Sequence, residues 1–178
     1  MSESDLDVKK SKKQSPSLKA RALRLLSMRE YSRKGLEAKL TELAARQVKG
    51  DSESSKEKDP LAEKALSIQI LEVLDDFEKR GWLSDERFAQ ALVRRRGERF
   101  GVRKIQDELE RAGVGSQESA ELLKSLKETE FERAKALWLR KFGVVVQEQK
   151  ERARQYRFLA SKGFSSEVIS RVVAGRSA

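Results

Sequence analysis

Apolar residues recur along most of this chain at the three- and four-residue spacing that is typical of amphipathic helices. Nine helices fit this pattern, and only two prolines and ten glycines are available for the turns of a sheet-rich fold. The pattern therefore predicts an all-α protein. The residues predicted to face its core are Ala22, Leu25, Leu26, Leu36, Leu40, Leu43, Ile68, Leu71, Leu74, Phe77, Phe88, Leu92, Ile105, Leu109, Leu122, Leu123, Leu126, Ala134, Leu137, Trp138, Tyr156, Leu159, Ile169, Val172 and Val173.

Two stretches fall outside the helical pattern. Residues 1–17 are rich in lysine and serine and lack apolar periodicity, which predicts a disordered basic arm. Residues 46–60 carry four positive and four negative charges and separate two helical segments. We interpret them as a polar surface loop that is inserted into the first structural unit.

Two other segments of the chain repeat each other. Tyr31–Leu40 (YSRKGLEAKL) overlays Phe100–Leu109 (FGVRKIQDEL) without a gap, so that an aromatic, a small and two apolar residues coincide. The small residue, Ser32 or Gly101, stands where the N-cap of a helix is expected. The apolar pair that follows faces one side of that helix.

A glycine motif extends the repetition. Residues 110–114 (ERAGV) resemble residues 160–164 (ASKGF), and each glycine occupies the position at which a helix ends in a left-handed conformation. Together the repeats predict three tandem three-helix units that form an elongated, curved helical-repeat body. The predicted units are residues 18–80, 81–128 and 129–178.

The composition excludes most catalytic chemistry. Lys and Arg number 39 against 29 Asp and Glu, the formal net charge is +10, and the chain has no cysteine and no histidine. These absences exclude Ser-His and Cys-His nucleophiles, thiolate or imidazole metal sites and disulfides, and no glycine-rich phosphate loop is present. We expect no enzyme activity, no cofactor and no metal. The positive charge favours a polyanion or an acidic protein surface as the partner.

The sequence also indicates where the protein acts. No apolar run approaches the roughly 18 residues of a membrane-spanning helix. The N-terminus is charged where a secretory signal would be apolar. We therefore expect a cytoplasmic monomer without a membrane partner.

Basic residues gather in two sets. The first spans the end of one predicted helix and the start of the next, and its members are Arg94, Arg95, Arg96, Arg99, Arg103 and Lys104. It suits phosphates or acidic side chains, because a guanidinium binds two oxygens at once, although cations also cap a helix C-terminus. The second set lies on the penultimate helix and consists of Lys150, Arg152, Arg154, Arg157 and Lys162. Lys150, Arg154 and Arg157 share a face of this helix. This face either binds a partner or only keeps the protein soluble, and the sequence does not decide between the two.

The segment 81–89 (GWLSDERFA) is typical of a helix stop followed by a new helix start. Its glycine can adopt φ > 0, Ser84 can act as N-cap, and the acidic residues that follow suit the positive end of a helix. We expect Trp82 to seal the junction between the first two units, with an exposed partner anchor as the alternative. Trp138 and Phe142, on a later helix, have the spacing of core residues rather than of base-stacking platforms.

Four segments carry a resemblance to a known family. They are ALRLLSMREYSRKGLEAKL at 22–40, GWLSDERFA at 81–89, FG at 100–101 with IQDELERAGV at 105–114, and KGFS at 162–165. In this order they resemble the RecX family of regulators of the RecA recombinase, and the likeness covers residues 18–175. Trp82 stands where that family usually has tyrosine, and Ser84 where it often has aspartate.

The resemblance implies a function. RecX-like proteins bind RecA filaments on single-stranded DNA and inhibit ATP hydrolysis, strand exchange and co-protease activity. For this chain we expect the first basic set to contact DNA phosphates or acidic filament surfaces. The residues expected to set the junction between the first two units are Trp82, Asp85, Arg87 and Phe88. The alternatives are a stand-alone helical-repeat DNA-binding protein, whose affinity falls steeply with salt, and a scaffold for another acidic protein.

Overall fold

The computed structural model describes residues 16–51 and 60–176, and within these ranges it contains nine α-helices and no strand. The helices are α1 (Leu18–Met28), α2 (Arg33–Asp51), α3 (Pro60–Lys79), α4 (Asp85–Arg96), α5 (Val102–Arg111), α6 (Ser116–Glu128), α7 (Glu130–Lys141), α8 (Gln149–Ser161) and α9 (Ser166–Val173). The all-α prediction is confirmed. The predicted arm at 1–17 lies outside the described residues except for its last two.

Consecutive helices share a core in groups of three, which we call the first unit (α1 to α3), the second unit (α4 to α6) and the third unit (α7 to α9). Representative buried residues are Leu36, Leu74 and Phe77 in the first unit, Leu92, Ile105 and Leu109 in the second, and Trp138, Leu159 and Ile169 in the third. Each fully buried side chain of this size contributes about 1.5–3 kcal/mol of hydrophobic stabilisation. The fold is therefore a tandem of three-helix units.

The repeated helix ends have the local structure that the sequence predicts. Ser32 accepts a hydrogen bond from the Gly35 nitrogen at 3.0 Å, and Gly101 is the N-cap of α5 without a capping side chain. Gly113 and Gly163 follow α5 and α8 with φ of 80° and 83°. A side chain with a Cβ is strained at such angles, which explains why glycine ends both helices.

The polar loop predicted at 46–60 begins later than the sequence suggested, because α2 continues to Asp51. The arginine, lysine and glutamine in this stretch are good helix formers, so the helix continues although the stretch is mostly polar. Helix α3 starts at Pro60, a position that suits proline because the first helical residue has no intrahelical N–H partner. Residues 52–59, the rest of the predicted loop, lie outside the described residues.

The predicted core face of α3 is partly wrong. Ile68 and Leu71 are 50% and 41% exposed, whereas Ile70 and Val73 are buried beside the correctly predicted leucine and phenylalanine of the same helix. The sequence of α3 carries apolar residues on two overlapping stripes, so periodicity alone does not select one. Packing against α1 and α2 makes that selection.

A second correction concerns α8. Tyr156, predicted in the core, is 36% exposed, and its neighbour Gln155 is 2% exposed. The Gln155 side-chain oxygen accepts a hydrogen bond from Trp138 Nε1 at 2.8 Å, which satisfies both buried polar groups. Trp138 is buried and Phe142 packs edge-on against Phe158 with ring centroids 5.5 Å apart. The prediction that Trp138 and Phe142 belong to the core is confirmed.

The units are joined by a repeated capping contact. A carboxylate oxygen of Asp85, the first residue of α4, accepts a hydrogen bond from the Arg33 nitrogen at the start of α2, at 2.7 Å. Glu130, the first residue of α7, accepts in the same way from the Val102 nitrogen at the start of α5, at 2.9 Å. Arg33 and Val102 coincide when the two repeats are overlaid. Each following unit therefore caps the second helix of the unit before it.

The junction between the second and third units is also closely packed. The Gly101 nitrogen donates to the Lys162 carbonyl at 2.9 Å, and a Cβ at Gly101 would collide with the backbone of Gly163. From α7, the Arg133 guanidinium donates to three carbonyls of the second unit. These belong to Gly97 at 2.5 Å, Phe100 at 2.7 Å and Leu126 at 2.6 Å. Such contacts leave no room for a side chain at residue 101.

Candidate functional site

The three consecutive arginines at the end of α4 have different surroundings. Arg94 is exposed and forms no ion pair within residues 16–51 and 60–176. Arg95 lines a cleft between the first and second units. Arg96 contacts its own unit, where its Nε lies 3.3 Å from Glu108 Oε2 and its guanidinium lies over the Phe100 ring. The first basic set is therefore divided among several surfaces.

The rest of the first basic set lies in the turn after α4 and at the start of α5. Arg99 and Arg103 are exposed and have no carboxylate partner in the part of the chain that the structure describes. Lys104 Nζ lies 5.1 Å from the centroid of the Phe100 ring. The backbone of Lys104 packs against Gly163, where an added Cβ would lie 2.5 Å from Lys104 Cβ. Lys104 is thereby placed at the junction with the third unit.

A cleft of about 920 Å³ separates α5 from α8 and α9, and we call it the basic cleft. The cations that line it are Arg103, Lys104, Arg111 and Lys127. None of them has an ion pair among the described residues. The exposed ring of Tyr156 also lines the cleft. Two carboxylates, Asp107 and Glu130, line it as well, and Glu130 already accepts the helix-capping hydrogen bond from the Val102 nitrogen. Free cations beside an accessible aromatic ring suit an extended anionic chain.

The second basic set lies on the outer face of α8. Lys150, Arg154 and Arg157 are exposed and share the face opposite the buried Gln155. Arg154 Nη1 lies 3.4 Å from Glu151 Oε2, whereas the other two have no ion pair in the described ranges. None of the three lines the basic cleft. The structure thus keeps the two predicted basic sets on separate surfaces.

Three of the four predicted junction residues lie between the first and second units. Asp85 caps α2, and Arg87 Nε lies 3.1 Å from Glu30 Oε1 of the first unit. Phe88 is partly buried against the core of the second unit and lines the cleft that Arg95 also lines. The polar contacts of Asp85 and Arg87 are partly exposed, in contrast to the closely packed second junction.

Trp82 does not fill the junction as we expected. It is 45% exposed, its ring lies edge-on to Phe77 of the first unit, and the Arg80 guanidinium lies over it at 5.1 Å. Leu83, which is 2% exposed, enters the core of the first unit instead. The chain turns at Gly81, where φ is 68°, and the indole is left on the surface of the first unit.

The residues that form the second junction were missed by sequence reasoning. Glu130 is 3% exposed in the structure. In the sequence, however, Glu130 and Arg133 look like ordinary charged residues at the start of a helix. One signal could have found them, because residues 84–92 (SDERFAQAL) overlay residues 129–137 (TEFERAKAL) without a gap. That alignment places Glu130 on Asp85, the residue that caps α2.

Two arginines that contribute to the unit junctions have shifted pKa values. Burial lowers the pKa of the Arg133 guanidinium, which stays protonated because arginine retains its proton even when buried. A hydrogen bond to Asp75 raises the pKa of Arg33. In the described ranges, no three acidic side chains converge to hold a metal ion. None of the described helices is long and apolar enough to cross a membrane.

Comparison with known proteins identifies two of the three units. The family model described as "RecX, third three-helix domain" matches residues 128–173, and the model "RecX, second three-helix domain" matches residues 84–123. The Regulatory protein RecX of Leptothrix cholodnii is 41% identical over 157 residues, which cover 88% of this chain and 87% of that protein. The Regulatory protein RecX of Ralstonia pickettii is 40% identical over 159 residues, which cover 89% of this chain and 87% of that protein.

Solved structures show the same fold. The crystal structure of RecX from Lactobacillus salivarius superposes with a TM-score of 0.63 at 18% identity and covers 89% of this chain and 93% of that chain. A second crystal structure, of a regulatory protein RecX, gives a TM-score of 0.63 at 21% identity over 87% and 70% of the two chains. These likenesses establish the arrangement of the helices independently of close sequence similarity.

Proposed function

The chain belongs to the RecX family of regulatory proteins, and from that premise we propose that it regulates the RecA recombinase. It binds the RecA filament on single-stranded DNA and suppresses ATP hydrolysis, strand exchange and co-protease activity. It acts in the cytoplasm as a monomer, without a cofactor and without catalysis of its own. Its cellular role is in homologous recombination, DNA repair and the SOS response.

The observation that carries this proposal is the basic cleft between α5 and the third unit. Its four cations have no carboxylate partner within the described residues, so they are available to an external anion. Tyr156 adds an exposed aromatic surface, on which a nucleic-acid base can stack. Because Glu130 and Arg133 hold the second and third units together, the two walls of this cleft have a defined spacing.

Further basic residues join Arg103 and Lys104 of the basic cleft in the proposed contact surface. We assign the binding of filament or DNA to Arg94, Arg95, Arg99, Arg103, Lys104, Lys150, Arg154 and Arg157, whereas Arg96 serves its own unit through Glu108. The three units, with bounds at 18–80, 81–128 and 129–178, present these cations on successive parts of the body. A tandem body of this kind can contact neighbouring subunits of a helical polymer.

The test is the ATPase activity of RecA on single-stranded DNA, with this protein titrated from far below the RecA concentration. Arg103→Ala combined with Lys127→Ala removes two cations of the basic cleft. We expect this variant to require about tenfold more protein for half-inhibition. The matched control, Lys124→Ala combined with Arg140→Ala, removes two exposed cations outside the cleft and should inhibit as the unaltered protein does.

A binding curve on naked single-stranded DNA, run in parallel, separates the proposal from the stand-alone alternative. Inhibition at amounts too small to coat the DNA supports a filament regulator. Inhibition that appears only when the DNA is covered contradicts it and favours simple competition for the strand. In that case log K against log salt should slope by about −0.7 for each phosphate that is neutralised.

A further inference from the structure

A second cleft, of about 540 Å³, lies between α2 of the first unit and α4 and α5 of the second, and we call it the α2–α4 cleft. Part of its lining is apolar, with contributions from both units. The apolar lining residues are Tyr31, Ala38, Phe88, Leu92 and Ala112. A cleft of this size, with an apolar lining between two units, can seat one or a few side chains of a ligand.

The carboxylates around the α2–α4 cleft are already neutralised within the protein. Glu30 pairs with Arg87 at 3.1 Å and Glu108 pairs with Arg96 at 3.3 Å. The third, Glu42, pairs with Lys39 at 2.7 Å and also with Arg46. The hydrogen bond from Lys39, with the Arg46 charge next in effect, lowers the pKa of Glu42. None of the three offers an unpaired negative charge to a ligand.

Several cations of the same cleft are not neutralised, although Lys39 pairs with Glu42. Lys34, Arg95 and Arg111 line it and have no ion pair in the ranges that the structure describes. The Lys34 side chain is positioned over Gly113, where an added Cβ would lie 3.0 Å from Lys34 Cδ. The unsatisfied charge of the α2–α4 cleft is therefore positive and surrounds an apolar lining.

We propose that the α2–α4 cleft binds an acidic peptide segment of a partner protein. An apolar side chain of the peptide enters between the two units, and its flanking carboxylates pair with Lys34, Arg95 and Arg111. Arginine suits this role because its planar fork binds both oxygens of a carboxylate. The site goes beyond the proposed DNA contact, because its lining shares only Arg111 with that of the basic cleft.

The lining of the α2–α4 cleft favours a peptide over a nucleic acid. A phosphate backbone has no apolar group to enter between the two units, whereas a peptide can place an apolar side chain there and its few charges beside the free cations. The Tyr31 ring is 9% exposed and is covered by the Arg29 guanidinium at 4.4 Å, so no base can stack on it. Apolar anchors with a charged rim are the usual composition of peptide-binding grooves.

The test uses the full chain, which has no natural cysteine. Ala38→Cys provides one exposed attachment point in the cleft for an environment-sensitive fluorophore. The labelled protein is titrated with short peptides in which leucine or phenylalanine is flanked by aspartates and glutamates. The same peptides with serine in place of the apolar residue, and oligo-dT, are titrated in parallel.

We expect the peptides with an apolar residue to bind more tightly than their serine counterparts. Arg95→Ala should raise Kd at least about tenfold, which corresponds to about 1.4 kcal/mol. Arg140→Ala is the matched control, because it removes an exposed arginine of α7 that does not line the cleft and has no assigned binding role, and it should leave Kd within about twofold. Circular dichroism establishes that both variants retain their helices.

Three outcomes would overturn the proposal. The first is that the serine peptides bind as tightly as the peptides with an apolar residue. The second is that the two arginine variants change Kd equally. The third is that the protein responds to oligo-dT but not to peptide, and that Arg95→Ala removes the response to oligo-dT. The last result would assign the cleft to nucleic acid. Because the assay contains no RecA, a negative result here leaves the regulation of RecA to be judged by its own ATPase test.

Discussion

Asp76 links two helices of the first unit through a single carboxylate. Its two oxygens lie 2.8 Å from Arg80 Nε on one side and 3.0 Å from Lys19 Nζ of α1 on the other. The hydrogen bond from Arg80, followed by that from Lys19, lowers the pKa of Asp76 below its ordinary value of 3.8. Stability that depends on a lowered pKa is fully present above the ordinary value and is lost as the pH falls through the lowered one.

This arrangement predicts a specific order of pKa changes. In the unaltered protein, carboxyl NMR signals titrated with pH should place the pKa of Asp76 below 3.8. Arg80→Ala should raise it more than Lys19→Ala, because the Arg80 hydrogen bond is the larger cause. Arg24→Ala, an exposed cation of α1 without an ion pair in the described ranges, is the control. An unchanged pKa in Arg80→Ala would show that the pair does not form in solution.

At the scale of elements, helix ends are completed by neighbouring helices. The last carbonyls of a helix have no intrahelical donor. In the second unit, Arg133 of α7 supplies donors to the ends of α4 and α6 through the Gly97 and Leu126 carbonyls. A third bond, to the Phe100 carbonyl, ties in the turn before α5. One guanidinium therefore fixes three segments of one unit to a helix of the next.

Arg133→Ala should accordingly destabilise the protein. Leaving a partly buried carbonyl without a donor costs about 1–3 kcal/mol, and water can reach some of these groups, so we expect a loss of about 2 kcal/mol in the free energy of unfolding. Arg133→Lys should recover only part of it, because an ammonium lacks the planar fork. Urea denaturation measures both. Arg140→Ala, an exposed residue of the same helix, should change little, and an equal loss there would contradict this role.

Much of this element-level structure could be predicted from the sequence, for local reasons. The caps at Ser32 and Gly101 and the helix-ending glycine at Gly113 depend on short-range chemistry, so the repeats predicted them. The core face of α3 depends on which stripe meets α1 and α2, so Ile68 was placed inside although it is half exposed. Trp82 was predicted to be buried at the junction but is exposed. The burial of a junction residue depends on which residues pack over it, and the local sequence does not show this.

The candidate sites were harder to predict than the helices. Some basic residues of both clefts could be predicted, because clustered arginines are visible in a linear chain. The different surroundings of Arg95 and Arg96 could not be predicted, because the two are adjacent in sequence. Arg95 lines a cleft, whereas Arg96 pairs with Glu108. The buried Glu130 gave no local signal, because its partner, the Val102 nitrogen, lies 28 residues earlier in the chain.

At the scale of the whole molecule, the two junctions between units differ in burial. Both use a carboxylate that caps the second helix of the preceding unit. At the first junction, Asp85 is partly exposed and is accompanied by the partly exposed pair of Arg87 and Glu30. At the second, Glu130 is 3% exposed and lies beside the Arg133 contacts. Exposed polar contacts contribute little net stability, and salt screens them.

The first unit should therefore open from the second more readily than the second opens from the third. Amide hydrogen exchange tests this directly, because the Arg33 amide is bonded across the first junction and the Val102 amide across the second. After correction for intrinsic rates, we expect Val102 to be protected at least about tenfold more than Arg33, which corresponds to about 1.4 kcal/mol. The Leu36 amide, which is bonded to Ser32 within the first unit, serves as the internal reference.

Salt distinguishes local opening at the first junction from fraying of α2. At about 1 M salt the screening length falls to about 3 Å, so the ionic contacts around Asp85 weaken while the buried contacts around Glu130 do not. Exchange at Arg33 should accelerate, and exchange at Val102 and Leu36 should stay unchanged. Equal protection of Arg33 and Val102, at low and high salt alike, would show that all three units move as one body. The α2–α4 cleft lies across the first junction, so the difference predicted here would make its width adjustable while the basic cleft keeps a constant shape.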